Sequence, residues 1–258
     1  MEMNPVLEIL ENRSTLRKFS DQEVSQEVEN AILQAALRAP TASNMMYYSI
    51  IRVRDKELQL KLQKNCKNQP YISQAPMMLI FCADYQRWAD LYEWDGVPEK
   101  CAELGLEYHK PNERNFLLST IDATLAAQNA VIAAESMGLG SCYLGHIMGH
   151  AEDNRELFDL PPYVYPVIAV LFGYPAEGLK RVKSPRFDKK YIVHINKYHR
   201  LPREELEEML GKRFSCPQEN RYGAKNKGQF LYLNKYAYEP SYSEGARSIK
   251  EVLKNWNG

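Results

Sequence analysis

The chain has 258 residues, 45% hydrophobic and 26% charged, with Lys+Arg and Asp+Glu both at 33. That is enough to bury a sizeable core, either as one large α/β-type domain or as a compact core with additions. A zero net charge argues against nucleic acid or an anionic membrane as the main partner, so basic clusters must serve a local anion.

The opening stretch, MEMNPVLEILENRS, lacks the charged start and long apolar segment of a secretion signal. No apolar run approaches the ~20 residues a membrane-spanning helix needs. Five dispersed cysteines (Cys66, Cys82, Cys101, Cys142 and Cys216), with no CxxC, fit reduced thiols in the cytoplasm.

Asn4–Glu11 reads as a short helix, with Val6, Leu7 and Leu10 on one side. It delivers the chain to Arg13-Ser14-Thr15-Leu16-Arg17-Lys18, where three cations and two hydroxyls fall within six residues. Ser25 caps a helix to Arg38, apolar at Val28, Ile32, Ala35 and Ala36. Ala39–Asn44 (APTASN) is turn material, Ser49–Val53 a strand, and Asp55–Lys64 a surface helix behind an Asp cap. Met77–Ala83 (MMLIFCA) has the continuous apolar character of a central strand. Residues 85–112 are aromatic and charged, broken at Gly96-Val97-Pro98. Two readings stand there: a helical excursion lidding a site, or a surface helix pair with half-buried aromatics.

The organising stretch is Asn115–Gly145. Ala126, Ala127, Ala130, Ala133 and Ala134 keep one side of a long helix thin, while Leu125, Val131 and Ile132 add bulk. Gly138 is its expected stop, and Cys142-Tyr143-Leu144 a short buried strand closed by Gly145. A helix leading through glycines to a strand end suits a flat ligand laid on bare backbone. Ala151–Leu160 follows as a helix, Val167–Phe172 as a strand and Gly178–Arg186 as a second basic loop; Glu204–Leu210 is another helix. From Arg213 the composition shifts to Tyr, Lys, Asn and Gly until periodicity returns at Ser243–Trp256. Four strands among unevenly spaced helices predict an α+β layered fold with helices on both sheet faces.

Gly138-x-Gly140 runs helix, glycines, strand. A dinucleotide fingerprint needs strand, glycines, helix, so this is no Rossmann loop. His146 and His150 are four apart with Glu152 and Asp153 following, but Gly149 interrupts a helix there and no HExxH supports a metal. No GxSxG or signature cysteine points to a nucleophile; Cys82 and Cys142 read as core thiols. The basic loops remain, near Arg13–Lys18 and Lys180–Arg186: they are either solvated surface charge or a clamp for a phosphate monoester.

Taken together, several short motifs stand in the order of the nitroreductase family. They are Arg13-x-Thr15-x-Arg17-x-Phe19, Ala39–Ser43, Asn68–Tyr71, Phe81–Asp84, Ala126–Asn129, Ala133–Gly140, Tyr143-Leu144-Gly145 and Pro185-Arg186. Over roughly residues 4–200 the chain most resembles the class A branch of NADPH-dependent FMN reductases and oxygen-insensitive nitroreductases.

The resemblance implies a nitroreductase-like α+β fold with a small mixed sheet, in an intertwined homodimer. Residues 1–200 would be the FMN-binding core and 201–258 an extension embracing the partner subunit, with the long helix at the dimer centre. Arg13, Ser14, Thr15, Arg17 and Arg186 would hold the FMN phosphate, and Thr41, Ser43 and Gln69 would meet the ribityl chain and ring edge. Tyr143, Leu144, Gly145 and His146 would lie beside the isoalloxazine. His146 stands where the family has Gly. Ser184 stands where it has Lys, with Lys183 next door to compensate. Arg221, Lys225 and Lys227 lie where the FMN reductases read the 2′-phosphate of NADPH.

The implied activity is ping-pong hydride transfer from NADPH or NADH to small-molecule acceptors, namely nitroaromatics, quinones or free flavins, with no catalytic side chain required. A member with one narrow acceptor and a non-catalytic flavin-binding module are the alternatives.

Overall fold

The computed structural model describes residues 4–211, 222–237 and 240–258. Cys216 and Arg221 lie outside the described residues. The chain divides into two compact units, one formed by Met1–Arg181 with Ser243–Gly258, the other by Val182–Tyr242. The first unit contains α1 (Pro5–Asn12), α2 (Gln26–Leu37), β1 (Tyr48–Val53), α3 (Lys56–Asn65), α4 (Tyr71–Gln74) and β2 (Met77–Asp84). It continues with α5 (Gln86–Trp94), α6 (Val97–Glu103), α7 (Glu113–Ser136), β3 (Gly140–Leu144), α8 (Ala151–Phe158) and β4 (Val164–Gly173). The second contains α9 (Arg203–Gly211) and α10 (Lys227–Tyr232), and α11 (Pro240–Leu253) leads back into the first.

The helix starts follow local capping chemistry. Asn4, Ser25 and Asp55 side chains accept backbone N–H groups of α1, α2 and α3. α7 opens on a capping box in which Asn112 and Asn115 bond reciprocally. Residues 85–112 form the helix pair α5 and α6, separated by Gly96 in the left-handed region at φ 65°.

The sheet order is β1-β2-β4-β3, antiparallel throughout. The one parallel pairing among the described residues is an isolated bridge between Thr15 and Ser141, so the expected mixed character is confined to that bridge. All of β2 is buried because both its faces are covered. Met77, Leu79, Phe81 and Ala83 face a core shared with Ile32 and Ala36 of α2 and the alanines of α7. Met78, Ile80 and Cys82 face a second core with Leu62, Cys66 and Ile72. β4 starts at Val164, before the sequence reading placed it. The register shifts opposite Phe81/Cys82, leaving Val167 as the extra residue beside Pro166. A proline, lacking an N–H, is tolerated at such a bulge.

Among the described residues α7 is long and apolar enough to cross a membrane by length and composition. Its place is the core. Ala123, Ala126, Ala127 and Ala130 are fully buried, and Asn129 Nδ2 donates to Ala35 O of α2 at 3.2 Å.

α11 returns Val252 and Trp256 to a third cluster with Ala151 and Tyr165. It also supplies a cap that α8 lacks. His150, left-handed at φ 57°, makes no side-chain cap; its N–H donates to Glu244 Oε1 at 3.1 Å and that of Ala151 to Ser248 Oγ at 3.1 Å. Arg247 then bonds both Glu152 and Glu244. Its hydrogen bonds hold the Glu152 carboxyl down at about 2, and those of Arg247 and Ser248 hold Glu244 there too.

Carboxyls depressed in the folded state stabilise it fully above their ordinary value and lose that contribution as they protonate. Arg247→Ala therefore lowers Tm at neutral pH, and the gap from the parent narrows as pH falls from about 4.5 towards about 2. Thermal melts of both proteins across that window check this; a gap independent of pH would contradict it.

Candidate functional site

The site is built around β3. Leu16 N–H donates to Ser141 O at 2.9 Å, laying the basic turn alongside the strand. A Cβ on Gly140 would sit 2.6 Å from Leu16 Cδ2 and 2.8 Å from Leu16 Cβ, so the buried Leu16 fits only against glycine.

Each arginine of the turn lies over a tyrosine. Arg13 is 5.7 Å from the Tyr143 ring centroid, and Arg17 is 5.7 Å from that of Tyr71. The tyrosines are themselves held. Tyr143 Oη donates to Gln128 Oε1 at 2.9 Å, and Tyr71 Oη to Gln69 Oε1 at 2.5 Å. Gln69 Nε2 donates to Cys66 O at 3.0 Å. Burial pushes the Tyr143 hydroxyl up to about 12 against the pull of Arg13, so it remains a neutral donor. Arg13 Nε is buried and has no hydrogen-bond partner among the described residues. Thr15 and Arg17 are exposed.

Ser14, by contrast, is buried and held by Arg181. Arg181 Nε donates to Ser14 Oγ at 3.1 Å and Nη2 to Ser14 O at 2.5 Å. Its other contacts are a two-pronged ion pair to Glu135 at 2.8 and 2.9 Å, with the Glu135 side chain only 6% exposed. The sequence reading placed Arg181 in the second basic loop but gave it no role. The available signal was Glu135, a carboxylate in an alanine-rich buried helix, where an unpaired charge is costly.

A second carboxylate of α7 fixes the loop carrying Thr41 and Ser43. Asp122, 2% exposed, accepts the N–H groups of Ala42 at 3.0 Å and Tyr47 at 3.2 Å. Thr41 Oγ1 accepts Met46 N–H at 2.9 Å. Ser43, Asn44 and Met46 all have positive φ, between 52° and 59°. Non-glycine residues there are strained, and such strain persists only where surrounding contacts over-determine it. Tyr47 stacks on Tyr85 at 5.0 Å, and Trp88 Nε1 donates to Met45 O at 3.0 Å, so α5 walls the same loop. An open groove of about 520 Å³ borders it, with Leu33, Met45, Met46 and Trp88 among its lining.

At the far end of β3, Leu144 is buried while Gly145 and His146 are exposed. A Cβ on Gly145 would meet no atom within 4 Å among the described residues. The turn Gly145–Met148 is braced from behind. Asn154, 1% exposed, donates to Ile147 O at 2.7 Å and Gly149 O at 2.8 Å, and Tyr165 Oη donates to Met148 O at 3.0 Å. Lys183, Ser184 and Arg186 belong to the second unit, where Arg186 Nη1 donates to Ser184 O at 3.4 Å.

The first unit thus brings together Arg13, Ser14, Thr15, Arg17 and Tyr143 along β3, with Gln69 reached through Tyr71. Guanidinium and hydroxyl donors beside a side-chain-free strand end are suited to an anionic head group attached to a flat body. Cys82 and Cys142 are buried thiols whose burial raises their pKa, which leaves little thiolate.

The Nitroreductase family model matches residues 10–174. An FMN reductase (NADPH) of Bacillus subtilis (strain 168) is 39% identical over 197 residues, covering 76% of each chain. An FMN reductase [NAD(P)H] of the same organism is 33% identical over 208 residues, covering 79% of this chain and 78% of that one. The solved structure of NADPH:FMN oxidoreductase from Vibrio harveyi complexed with NAD+ superposes with a TM-score of 0.77 at 26% identity, covering 97% of this chain and 98% of that chain. The order of short motifs, the four-stranded sheet sandwiched by helices and the matched span agree: this chain belongs to the nitroreductase family.

Proposed function

We propose that the protein is an FMN-dependent NAD(P)H oxidoreductase acting on small acceptors such as nitroaromatics, quinones or free flavins. The observation that carries this is the turn 13–17, whose two guanidiniums lie over tyrosine rings along the strand that ends at the open Gly145. The relatives' names, FMN reductase (NADPH) and FMN reductase [NAD(P)H], support the cofactor and both nicotinamide donors.

The donor set fits FMN. Arg13 and Arg17 counter the phosphate charge, with Ser14 and Thr15 as hydroxyl donors. Arg13 Nε is buried without a partner among the described residues, a donor that a phosphate oxygen would satisfy. Lys183, Ser184 and Arg186 join the phosphate on the family resemblance. Thr41 Oγ1 accepts Met46 N–H and keeps its own hydrogen to donate; Thr41, Ser43 and Gln69 are assigned to the ribityl chain and ring edge on the family resemblance. Tyr143, Leu144, Gly145 and His146 are assigned to the ledge for the ring, with Arg13 over the Tyr143 ring.

When bound, FMN would supply the two-electron redox chemistry that links an NADPH or NADH donor to the second substrate. The residues bind, orient and exclude water, so no side-chain acid or base is assigned. The aromatic wall of Tyr47, Tyr85 and Trp88 with the exposed His146 favours a narrow acceptor range as the second reading.

Leu117, Ile121 and Leu125 recur every four residues on α7 and are 60%, 46% and 38% exposed, away from the alanines that face the sheet. We assign this stripe to a second copy of the chain and residues 201–258 to an extension that reaches the partner, although its Ser243–Gly258 stretch also completes this chain's own first unit. The buried free thiols fit the reducing cytoplasm.

The purified protein is expected to be yellow and to bleach when NADPH or NADH is added without oxygen. Turnover with a panel of nitroaromatics, quinones and flavins then separates a broad from a narrow enzyme. A colourless protein that takes up no added FMN would defeat the proposal, and bleaching without turnover would leave only a flavin-binding module. Arg13→Ala with Arg17→Ala should weaken FMN binding by on the order of a hundredfold, two charge-assisted contacts being lost. Unchanged flavin retention speaks against the phosphate assignment. Ile121→Glu should convert a dimer into monomer in sedimentation; a parent protein already monomeric refutes the stripe's role.

A further inference from the structure

The geometry points to Arg181 as a positioning residue that turns Ser14 into an oriented hydrogen-bond donor for the phosphate of the bound nucleotide. This rests on the FMN reading above and adds a residue to it.

Arg181 belongs by sequence to a run of cations, Lys180, Arg181 and Lys183, where a solvated role is the ordinary expectation. Its side chain is 25% exposed and its donors are spent inward. Two nitrogens pair with Glu135 at 2.8 and 2.9 Å, which neutralises its charge. A neutralised guanidinium is a poor direct ligand for a phosphate dianion, so Arg181 is not a third phosphate cation alongside Arg13 and Arg17.

What Arg181 does fix is Ser14. Its Nε occupies a lone pair of Ser14 Oγ, and its Nη2 holds the Ser14 carbonyl. A hydroxyl has one hydrogen and two acceptor lone pairs. With the guanidinium on the lone-pair side, the Ser14 hydrogen must point away from Arg181. The carbonyl bond simultaneously fixes the peptide that joins Ser14 to Thr15. Glu135 is tied into the same unit: Ser141 Oγ donates to its Oε1 at 3.3 Å, and Ser141 O receives Leu16 N–H at 2.9 Å. The turn is therefore held at Ser14 by Arg181 and at Leu16 by β3, with Thr15 between the two restraints. A preorganised donor loses less on binding than one that must be ordered.

A residue acting only on the phosphate end affects FMN and leaves riboflavin, which lacks the phosphate, untouched. The test uses the full chain stripped of flavin and titrated with FMN and with riboflavin by flavin fluorescence. Arg181→Lys keeps a cation opposite Glu135 but cannot hold Glu135, Ser14 Oγ and Ser14 O together. It should weaken FMN binding about tenfold and leave riboflavin binding unchanged. Should that variant fail to fold, Ser14→Ala should give the same selective loss. Where both fold, Arg181→Lys combined with Ser14→Ala should lose no more than Ser14→Ala alone, because both remove one donor. Equal FMN-to-riboflavin preference in parent and variants, or additive losses, would overturn the role of Arg181. A parent protein that binds riboflavin as tightly as FMN would instead remove the phosphate reading, so the two failures are distinguishable.

Discussion

The close approach of Leu16 to Gly140 is the constraint on which the candidate site depends. An N-terminal turn and a strand more than a hundred positions later touch only because one lacks a side chain where the other buries its own. From that contact follow the Leu16–Ser141 hydrogen bond, the Thr15–Ser141 bridge, and the seating of Arg13 on Tyr143. Any side chain at position 140 forces Leu16 outward and takes the arginines with it. The apolar contact does not bind anything itself; it determines where the charges can be.

α7 extends the same logic to both sides of the site. It is a core helix by its alanines, yet it carries Asp122 and Glu135. Asp122 receives two backbone N–H groups of the loop 41–47, and Glu135 receives Arg181. Buried carboxylates are costly unless fully satisfied, and each here is satisfied by a segment distant in sequence. One rigid helix therefore sets the position of two loops that would otherwise wander, and absorbs the positive φ values at Ser43, Asn44 and Met46.

Much of the fold was legible because its signals are local. Continuous apolar runs marked β2 and β4, Ser25 and Asp55 marked helix starts, and Gly138, at φ 82°, marked the end of α7. The start of β4 was hidden by Pro166, which reads as a strand breaker until the bulge opposite β2 is known. α4, only four residues long, has too few positions to show a period. In the site, the turn 13–17 and the ledge 143–146 stood out by residue type and by family order. Arg181, Asp122 and Asn154 did not, because their roles lie in partners 40 to 170 positions away or in backbone carbonyls that leave no trace in composition. The cation run around Arg181 looked like surface, whereas its guanidinium is turned inward.

The first unit is discontinuous: Ser243–Gly258 completes it after the whole of Val182–Tyr242 has intervened. Trp256 fills the space between Phe116 and Tyr163, and Glu244 with Ser248 caps the helix behind the Gly145 turn. During synthesis the ribosome therefore emits every residue of the Gly145 turn long before the segment that buttresses it. The turn acquires its final rigidity only after translation has reached those last helical turns. A nascent chain stalled earlier would present that turn without the Glu244 and Ser248 cap behind it.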